Sequence, residues 1–134
     1  MPATVLCEPL EPRHLLATNG LNATYFNNRD FTGATYTRID KSVAFDWPDH
    51  SRPAPGIRGT TFSVRWNGLI KPRTTETYTF ITRNNDGVRL WINGKLVIGS
   101  WSYRKRATHS GTIALQANKL YDLRLEYRDG TRTA

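Results

Sequence analysis

Two aromatic residues precede three consecutive basic ones between Gly99 and Gly111, and together they form the densest group of side chains able to bind a ligand. Trp101 and Tyr103 can present flat apolar faces to a sugar ring. The basic run that begins at Arg104 can attract sulfate or carboxylate groups, which an arginine grips with a bidentate fork. The alternative interpretations are core packing for Trp101 and a solvated loop for the basic run.

A second polar group is the stretch Asn84-Asn85-Asp86-Gly87. Asparagine and aspartate side chains hydrogen-bond their own backbone, and glycine accepts positive φ values, so tight turns prefer these three residue types. The stretch therefore predicts a tight turn. The same stretch places one carboxylate and two amide oxygens close together.

Catalysis has little support in the sequence. The three histidines, His14, His50 and His109, are scattered, and neither a nucleophile motif nor a phosphate-cradling glycine loop is present. A glycosidase needs two carboxylates that face each other across a cleft, and no such pair is evident. We therefore predict that the protein is not an enzyme. The acidic residues placed on loops are Asp30, Asp46, Asp49 and Asp86.

The charge balance favours an anionic partner. The 134 residues include 19 basic and 11 acidic side chains, for a formal net charge of +8. Such an excess attracts nucleic acid, an acidic polysaccharide or a membrane surface. Nothing resembles a nucleic-acid motif and the basic residues are spread along the chain, so we predict no specific nucleic-acid binding. No apolar run approaches the ~20 residues of a membrane span.

The binding candidates must be positioned by β-strands, because apolar and polar residues alternate almost everywhere after Gly20. Period-2 alternation turns one set of side chains to a buried face and the other to water. Asn93-Gly94 lies between two apolar runs and predicts a type I′ hairpin turn. Many short strands with regular turn signals predict an all-β, antiparallel sandwich or barrel. The alternating runs begin at Leu21, Phe62, Tyr78 and Tyr121.

Residues 1–19 differ from the rest of the chain in composition and pattern. They hold three prolines and no alternation, and Leu10 to Leu16 resembles the LEPR-x-LL segment found near the N-terminus of very large exported bacterial proteins. We therefore predict a leader over residues 1–19 and one folded domain over residues 20–134.

The ordered motifs of residues 20–134 resemble the PA14 domain family. The core motif runs from Asn85 to Gly94 and is followed by Leu96-Val97-Ile98 and Trp101. The resemblance implies an antiparallel β-sandwich. Because the family continues beyond the strand that contains Glu126-Tyr127, it also implies a last strand that this chain lacks. The other matching stretches are Gly20-Leu21-Asn22-Ala23-Thr24-Tyr25-Phe26, Phe31, Ser63-Val64-Arg65-Trp66-Asn67-Gly68-Leu69-Ile70-Lys71-Pro72, Thr77-Tyr78-Thr79-Phe80, Gly111-Thr112-Ile113-Ala114-Leu115 and Tyr121-Asp122-Leu123-Arg124-Leu125-Glu126-Tyr127.

The resemblance also implies a binding site. Lectin-like members hold calcium with two adjacent aspartates, and the ion binds sugar hydroxyls. Calcium takes carboxylate, amide and carbonyl oxygens, but here the first aspartate is replaced by Asn85, so one charge is missing. The implied metal ligands are Asn85 and Asp86, with a plain turn as the alternative. The implied sugar-binding residues are Asn85, Asp86, Gly87, Trp101, Tyr103 and Arg104.

Two functions follow as hypotheses. The first is a lectin-like module, calcium-assisted or not, which binds a neutral or anionic glycan as one domain of a larger secreted or cell-surface bacterial protein. The second is a structural or adhesive spacer without a ligand of its own. The replacement at Asn85 and the leader-like segment leave both open.

Overall fold

The computed structural model describes residues 3–9, 15–17, 20–47, 51–59, 61–101 and 107–129; residues 3–9 and 15–17 are described by backbone only, as is Asp46. These residues form antiparallel strands and no helix, which confirms the predicted all-β class. In this part of the chain, accordingly, no helix has the length and apolar character required to cross a bilayer.

The strands form two sheets that face each other. In chain order they are β1 (Ala3–Pro9), β2 (Leu15–Ala17), β3 (Leu21–Phe26), β4 (Thr35–Asp40), β5 (Val43–Trp47), β6 (Phe62–Pro72), β7 (Glu76–Asn84), β8 (Gly87–Ile92), β9 (Lys95–Ser100), β10 (Ala107–Leu115) and β11 (Tyr121–Asp129). The smaller sheet has four strands in the order β10-β7-β1-β5. The larger has seven strands, in the order β4-β3-β6-β11-β8-β9 with β2 beside β6.

The core lies between the sheets and is built by the predicted alternation. Phe62, Val64 and Trp66 of β6 are completely buried, as are Leu125 and Tyr127 of the neighbouring β11. Burying each large apolar side chain contributes about 1.5–3 kcal/mol. The intervening residues of these strands point away from the core and form the outer face of the larger sheet.

The hairpin between β8 and β9 has the predicted turn. Asn93 and Gly94 both have positive φ values, 54° and 77°, as a type I′ turn requires. The pairing of β8 with β9 shifts by one residue between Leu90 and Trp91, which is a β-bulge. Trp91 lies on the outer face, partly buried, opposite in phase to the core residue Leu90.

The N-terminal segment differs from its sequence-based interpretation. Part of residues 1–19, which we placed outside the domain, pairs with both sheets: β1 runs antiparallel between β5 and β7, and β2 pairs with β6. Backbone hydrogen bonding admits any sequence without an interior proline, so the missing alternation did not exclude a strand. Residues 10–14 of the LEPR-like segment lie outside the described residues, as does the chain after Asp129, where a missing last strand was expected.

Candidate binding site

The Asn84–Gly87 stretch crosses from one sheet to the other. Asn84 ends β7 in the smaller sheet, Gly87 begins β8 in the larger sheet, and Asp86 between them has a φ of 59°. The turn is fixed from inside, because the Asn84 Nδ2 donates to the carbonyl oxygen of Asp86 at 3.0 Å. The Tyr127 hydroxyl donates to Asn85 Oδ1 at 2.8 Å. The stretch is therefore the turn that its composition predicts, and it is tied to the end of β11.

A buried carboxyl group of this turn meets a second one at the end of β11. Asp86 and Asp129 are only 5% and 8% exposed, and their side chains hydrogen-bond each other. Burial, then the hydrogen bond and the charge of Asp86, raise the pKa of Asp129 to about 7. We call Asp86 and Asp129 the carboxyl pair. A proton on Asp129 removes the repulsion between two neighbouring negative charges.

Asp129 was not among the predicted site residues, although the sequence carries a signal for it. The inward-facing positions of β11 are Tyr121, Leu123, Leu125 and Tyr127, and the alternation continues to Asp129. An acid at the inward position of a strand violates the pattern. Such a violation marks a buried polar group that needs a partner, and the partner here comes from a turn 43 residues earlier.

A further oxygen at the turn is buried without a hydrogen-bond donor. The Asn84 side chain is fully buried, and its Oδ1 accepts no hydrogen bond from the part of the chain that the structure describes. A buried amide oxygen without a donor costs about 1–3 kcal/mol. Two carboxyl groups and an amide oxygen form a set that suits a hard cation. Within the described residues, no three or more His, Cys, Asp or Glu side chains gather as a metal site.

Trp101 lies beside the turn and covers one end of the outer face of the larger sheet. Its ring stacks on Phe31 at 5.9 Å between centroids, with 13° between the planes. The guanidinium carbons of Arg89 and Arg128 lie 3.6 Å and 4.4 Å from its ring centroid. We call Phe31 and Trp101 the aromatic cover. Trp101 is thus a packing residue that remains partly exposed next to the turn.

Gly87 permits this arrangement by having no side chain. A Cβ atom at Gly87 would lie 3.0 Å from Cγ and Nε of Arg128 and 3.1 Å from Cε3 of Trp101. Of the predicted sugar-binding residues, the structure brings Asn85, Asp86, Gly87 and Trp101 together. Tyr103 and Arg104 lie outside the described residues.

Among the residues whose burial is described, the two other buried acids, Asp40 and Glu126, are held by arginines. Asp40 accepts from Tyr25, Trp66 and Arg38 at 2.7–2.9 Å. Burial, then the hydrogen bond and charge of Asp40, raise the pKa of Tyr25 above its ordinary value. Glu126 forms ion pairs with Arg65 and Arg89, in which each nitrogen–oxygen distance is 2.8 Å. Both of these acids are therefore held by cationic partners.

A sequence profile for the PA14 domain matches residues 17–134. The chain belongs to the PA14 domain family. The predicted resemblance is thereby confirmed for the domain, and the LEPR-like segment remains a prediction.

Relatives of this PA14 domain are parts of much longer proteins. The anti-sigma-I factor RsgI3 of Acetivibrio thermocellus is 44% identical over 116 residues, which is 87% of this chain and 18% of that protein. The protective antigen of Bacillus anthracis is 30% identical over 113 residues, 84% of this chain and 14% of that protein. The chain thus spans less than a fifth of either relative.

Solved structures share the fold of this PA14 domain. An anti-sigma factor domain-containing protein superposes with a TM-score of 0.79 at 44% identity, over 84% of this chain and 39% of the other. A GH31 α-xylosidase from Xanthomonas citri superposes with a TM-score of 0.71 over 92% of this chain and 14% of the enzyme. At 19% identity, the second likeness concerns the fold alone.

Proposed function

We propose that this PA14 domain is a carbohydrate-binding module that uses the end of the sandwich formed by the Asn84–Gly87 turn, Asp129 and Trp101. The observation that carries the proposal is the turn itself, which contains Asp86 of the carboxyl pair and whose Gly87 packs against the partly exposed Trp101. Sugar hydroxyls bind carboxylate and amide oxygens, and the apolar face of a sugar ring packs on an aromatic side chain. Both kinds of group meet at this turn.

We further propose that calcium assists binding at this turn. The residues that would hold the ion are Asp86, Asp129 and Asn84 through its Oδ1, because these supply two carboxylates and a buried oxygen that lacks a donor. Asn85 Oδ1 already accepts from Tyr127, so this amide mainly fixes the turn. Asp129 compensates for the aspartate that Asn85 replaces. A bound calcium ion would supply open coordination positions for vicinal sugar hydroxyls.

A non-catalytic role belongs to the same proposal. Paired glycosidase carboxyls stand about 5–9.5 Å apart across a cleft, whereas Asp86 and Asp129 hydrogen-bond each other. Carboxyls in contact leave no room for a glycosidic bond between them. The names of the relatives, anti-sigma-I factor and protective antigen, fit a recognition domain of a larger protein. We propose that the domain works outside the cell, or at its surface, in such a protein.

Calcium titration by calorimetry tests this proposal first. The chain should bind calcium saturably, and both Asp86→Asn and Asp129→Asn should weaken binding by at least about tenfold, since each removes one carboxylate ligand. Glu76→Gln is the matched control, because it removes the same charge at the other end of β7. A glycan array read with calcium and with chelator then identifies the sugar.

Two results would contradict parts of the proposal. Equal affinities in Asp129→Asn and Glu76→Gln would show that the carboxyl pair is not the metal site. A folded chain that binds neither calcium nor any glycan on the array would overturn the binding function altogether. It would favour the alternative, a structural or adhesive spacer in a larger surface protein.

A further inference from the structure

The outer face of the larger sheet has a concavity away from the Asn84–Gly87 turn. It encloses 530 Å³ and is floored by β3, β6, β8 and β11. Cross-strand pairing places four of its side chains in one transverse row, because Trp91 pairs with Arg124, Arg124 with Asn67, and Asn67 with Asn22. We call this concavity the open groove. Its volume lies in the range of small-ligand sites, about 300–1,000 Å³.

The polar side chains of the open groove are not used by the fold. In the described part of the chain, the side chains of Asn22, Asn67 and Arg124 form neither hydrogen bonds nor ion pairs, and all three are exposed. Arg124 is held only by its contact with Trp91, whose ring centroid is 4.3 Å from the guanidinium carbon. The N–H donors of Arg124 and the amides of Asn22 and Asn67 are therefore available to bind a ligand or water.

The row continues to both edges of the sheet. Asn22 pairs with Ile39 on β4, and Trp91 pairs with Leu96 on β9. Ile39 and Leu96 are each 58% exposed, although both are large and apolar. Six strands at ~4.8 Å spacing give the row a length of roughly 24 Å. The arrangement has apolar residues at its ends and hydrogen-bonding groups between them, which suits an extended chain lying across the strands.

We propose that the open groove is a second glycan site, which binds an acidic polysaccharide with a uronate carboxylate on Arg124, held in place by Trp91, and sugar hydroxyls on the neighbouring amides. A carboxylate accepts two parallel hydrogen bonds from a guanidinium. Asn22 and Asn67 can both donate to and accept from sugar hydroxyls. The net charge of +8 draws a polyanion to the domain.

Asp122 also lines the open groove, and its negative charge narrows the kinds of acidic polysaccharide that fit. It lies two residues before Arg124 on the same face of β11. A carboxylate accepts hydroxyl hydrogens but repels a second anion. The groove therefore favours a chain with one carboxylate per sugar over one with dense sulfation. The inference shares its ligand class with the proposed function but depends on different residues, so either can fail alone.

Binding of hexagalacturonate to the full chain, measured by calorimetry in chelator, tests the groove. Chelation keeps calcium from the turn. Arg124→Gln should weaken binding by at least about tenfold, as the loss of a charge-assisted hydrogen bond does. Arg124→Lys keeps the charge but loses the bidentate guanidinium. Its affinity for hexagalacturonate should lie between those of Arg124→Gln and the unmodified protein. Trp91→Ala should weaken binding to a similar extent. Neutral maltohexaose should bind at least about tenfold more weakly than the hexauronate.

Arg83→Gln is the matched control, because Arg83 is an exposed arginine on β7 of the other sheet. It should change affinity less than about twofold. Equal losses in Arg83→Gln and Arg124→Gln would overturn the site in favour of general charge attraction. No binding by the unmodified chain, or binding abolished by Asp86→Asn in chelator, would also overturn it. Arg124→Gln changes an exposed side chain, so its folding, checked by circular dichroism, should be unaffected.

Discussion

The two halves of the outer face of the larger sheet use the same residue types in opposite ways. In each half an arginine lies on a tryptophan: Arg89 is 3.6 Å from Trp101, and Arg124 is 4.3 Å from Trp91. In the covered half, Glu126 neutralises Arg89, and Trp101 of the aromatic cover packs on the same arginine. In the open half, Arg124 forms no ion pair with an acid of the described residues. The difference teaches that a planar cation on an aromatic ring is structural where a carboxylate accompanies it and free to bind a ligand where none does.

Burial accounts for the difference. Glu126 is 3% exposed although it lies on the outer face, because the aromatic cover and its two arginines shield it. A buried carboxylate requires such partners, since desolvation otherwise disfavours its charge. Exposed groups such as Asn67 and Arg124 retain hydration and carry no such requirement. They can exchange water for ligand.

The largest expected effect contrasts the two tryptophans. Trp101→Ala removes the stack on Phe31 and uncovers the charged network, so we expect it to lower the free energy of unfolding by about 3 kcal/mol. Trp91→Ala loses only contacts on an open face and should cost about 1 kcal/mol. Urea denaturation of both variants measures the two values. Equal losses would contradict the division into a covered and an open half.

A second contrast lies along β11. Glu126→Gln leaves Arg65 and Arg89 without a countercharge under the cover, and we expect a loss of about 2 kcal/mol, reduced because both arginines are one-third exposed. Asp122→Asn removes the same charge from the open half of the same strand. It should change stability by less than about 0.5 kcal/mol. The same urea titration measures both, and a reversed order would refute the structural role of Glu126.

A third contrast compares two glycines. Gly87→Ala places a methyl group against Trp101 and Arg128 at 3.0–3.1 Å, and we expect it to cost about 1–2 kcal/mol and to expose Trp101. Gly99→Ala meets only the tip of the exposed Leu96 and should cost less. Tryptophan fluorescence read with thermal unfolding reports both effects. An unchanged tryptophan emission maximum in Gly87→Ala would mean that Trp101 does not pack against this glycine.

A fourth expected effect is a pH dependence from the carboxyl pair. The pKa of Asp129 rises from 3.8 to about 7 on folding, so the folded protein holds a proton that the unfolded chain releases. Stability from this group is full below 3.8 and declines as the pH rises toward 7. In chelator, the Tm should fall by a few degrees between about pH 5 and about pH 8. Asp129→Asn should flatten this slope, and an unchanged slope would assign the dependence to other groups.

The local structure was largely predictable from the sequence. Alternation predicted that Phe62, Val64 and Trp66 share a buried face, and they do. The Asn93-Gly94 pair predicted the hairpin turn, and both residues have the required φ. Such features depend on neighbouring residues and on the intrinsic preferences of Asn and Gly, so they can be read locally.

The pairing of the carboxyl groups could not be read in this way. Asp86 lies in a turn that was recognised, but its partner Asp129 belongs to a strand far along the chain. Likewise, Trp101 contacts Phe31, which lies in the loop after β3. These contacts depend on strand order and on the stacking of the sheets, which local patterns do not encode.

The sequence by itself determined the class of fold, the turn at Asn84–Gly87, the family and the excess of positive charge. Only the tertiary structure decided which arginines are neutralised and which two acids meet. It also decided which tryptophan serves as the cover and which remains open. The physical reason is that alternation fixes the face on which a side chain lies, whereas burial and partners depend on the neighbouring strands. Arg89 and Arg124 both face outward, but only Arg89 lies beside Glu126 beneath an aromatic cover.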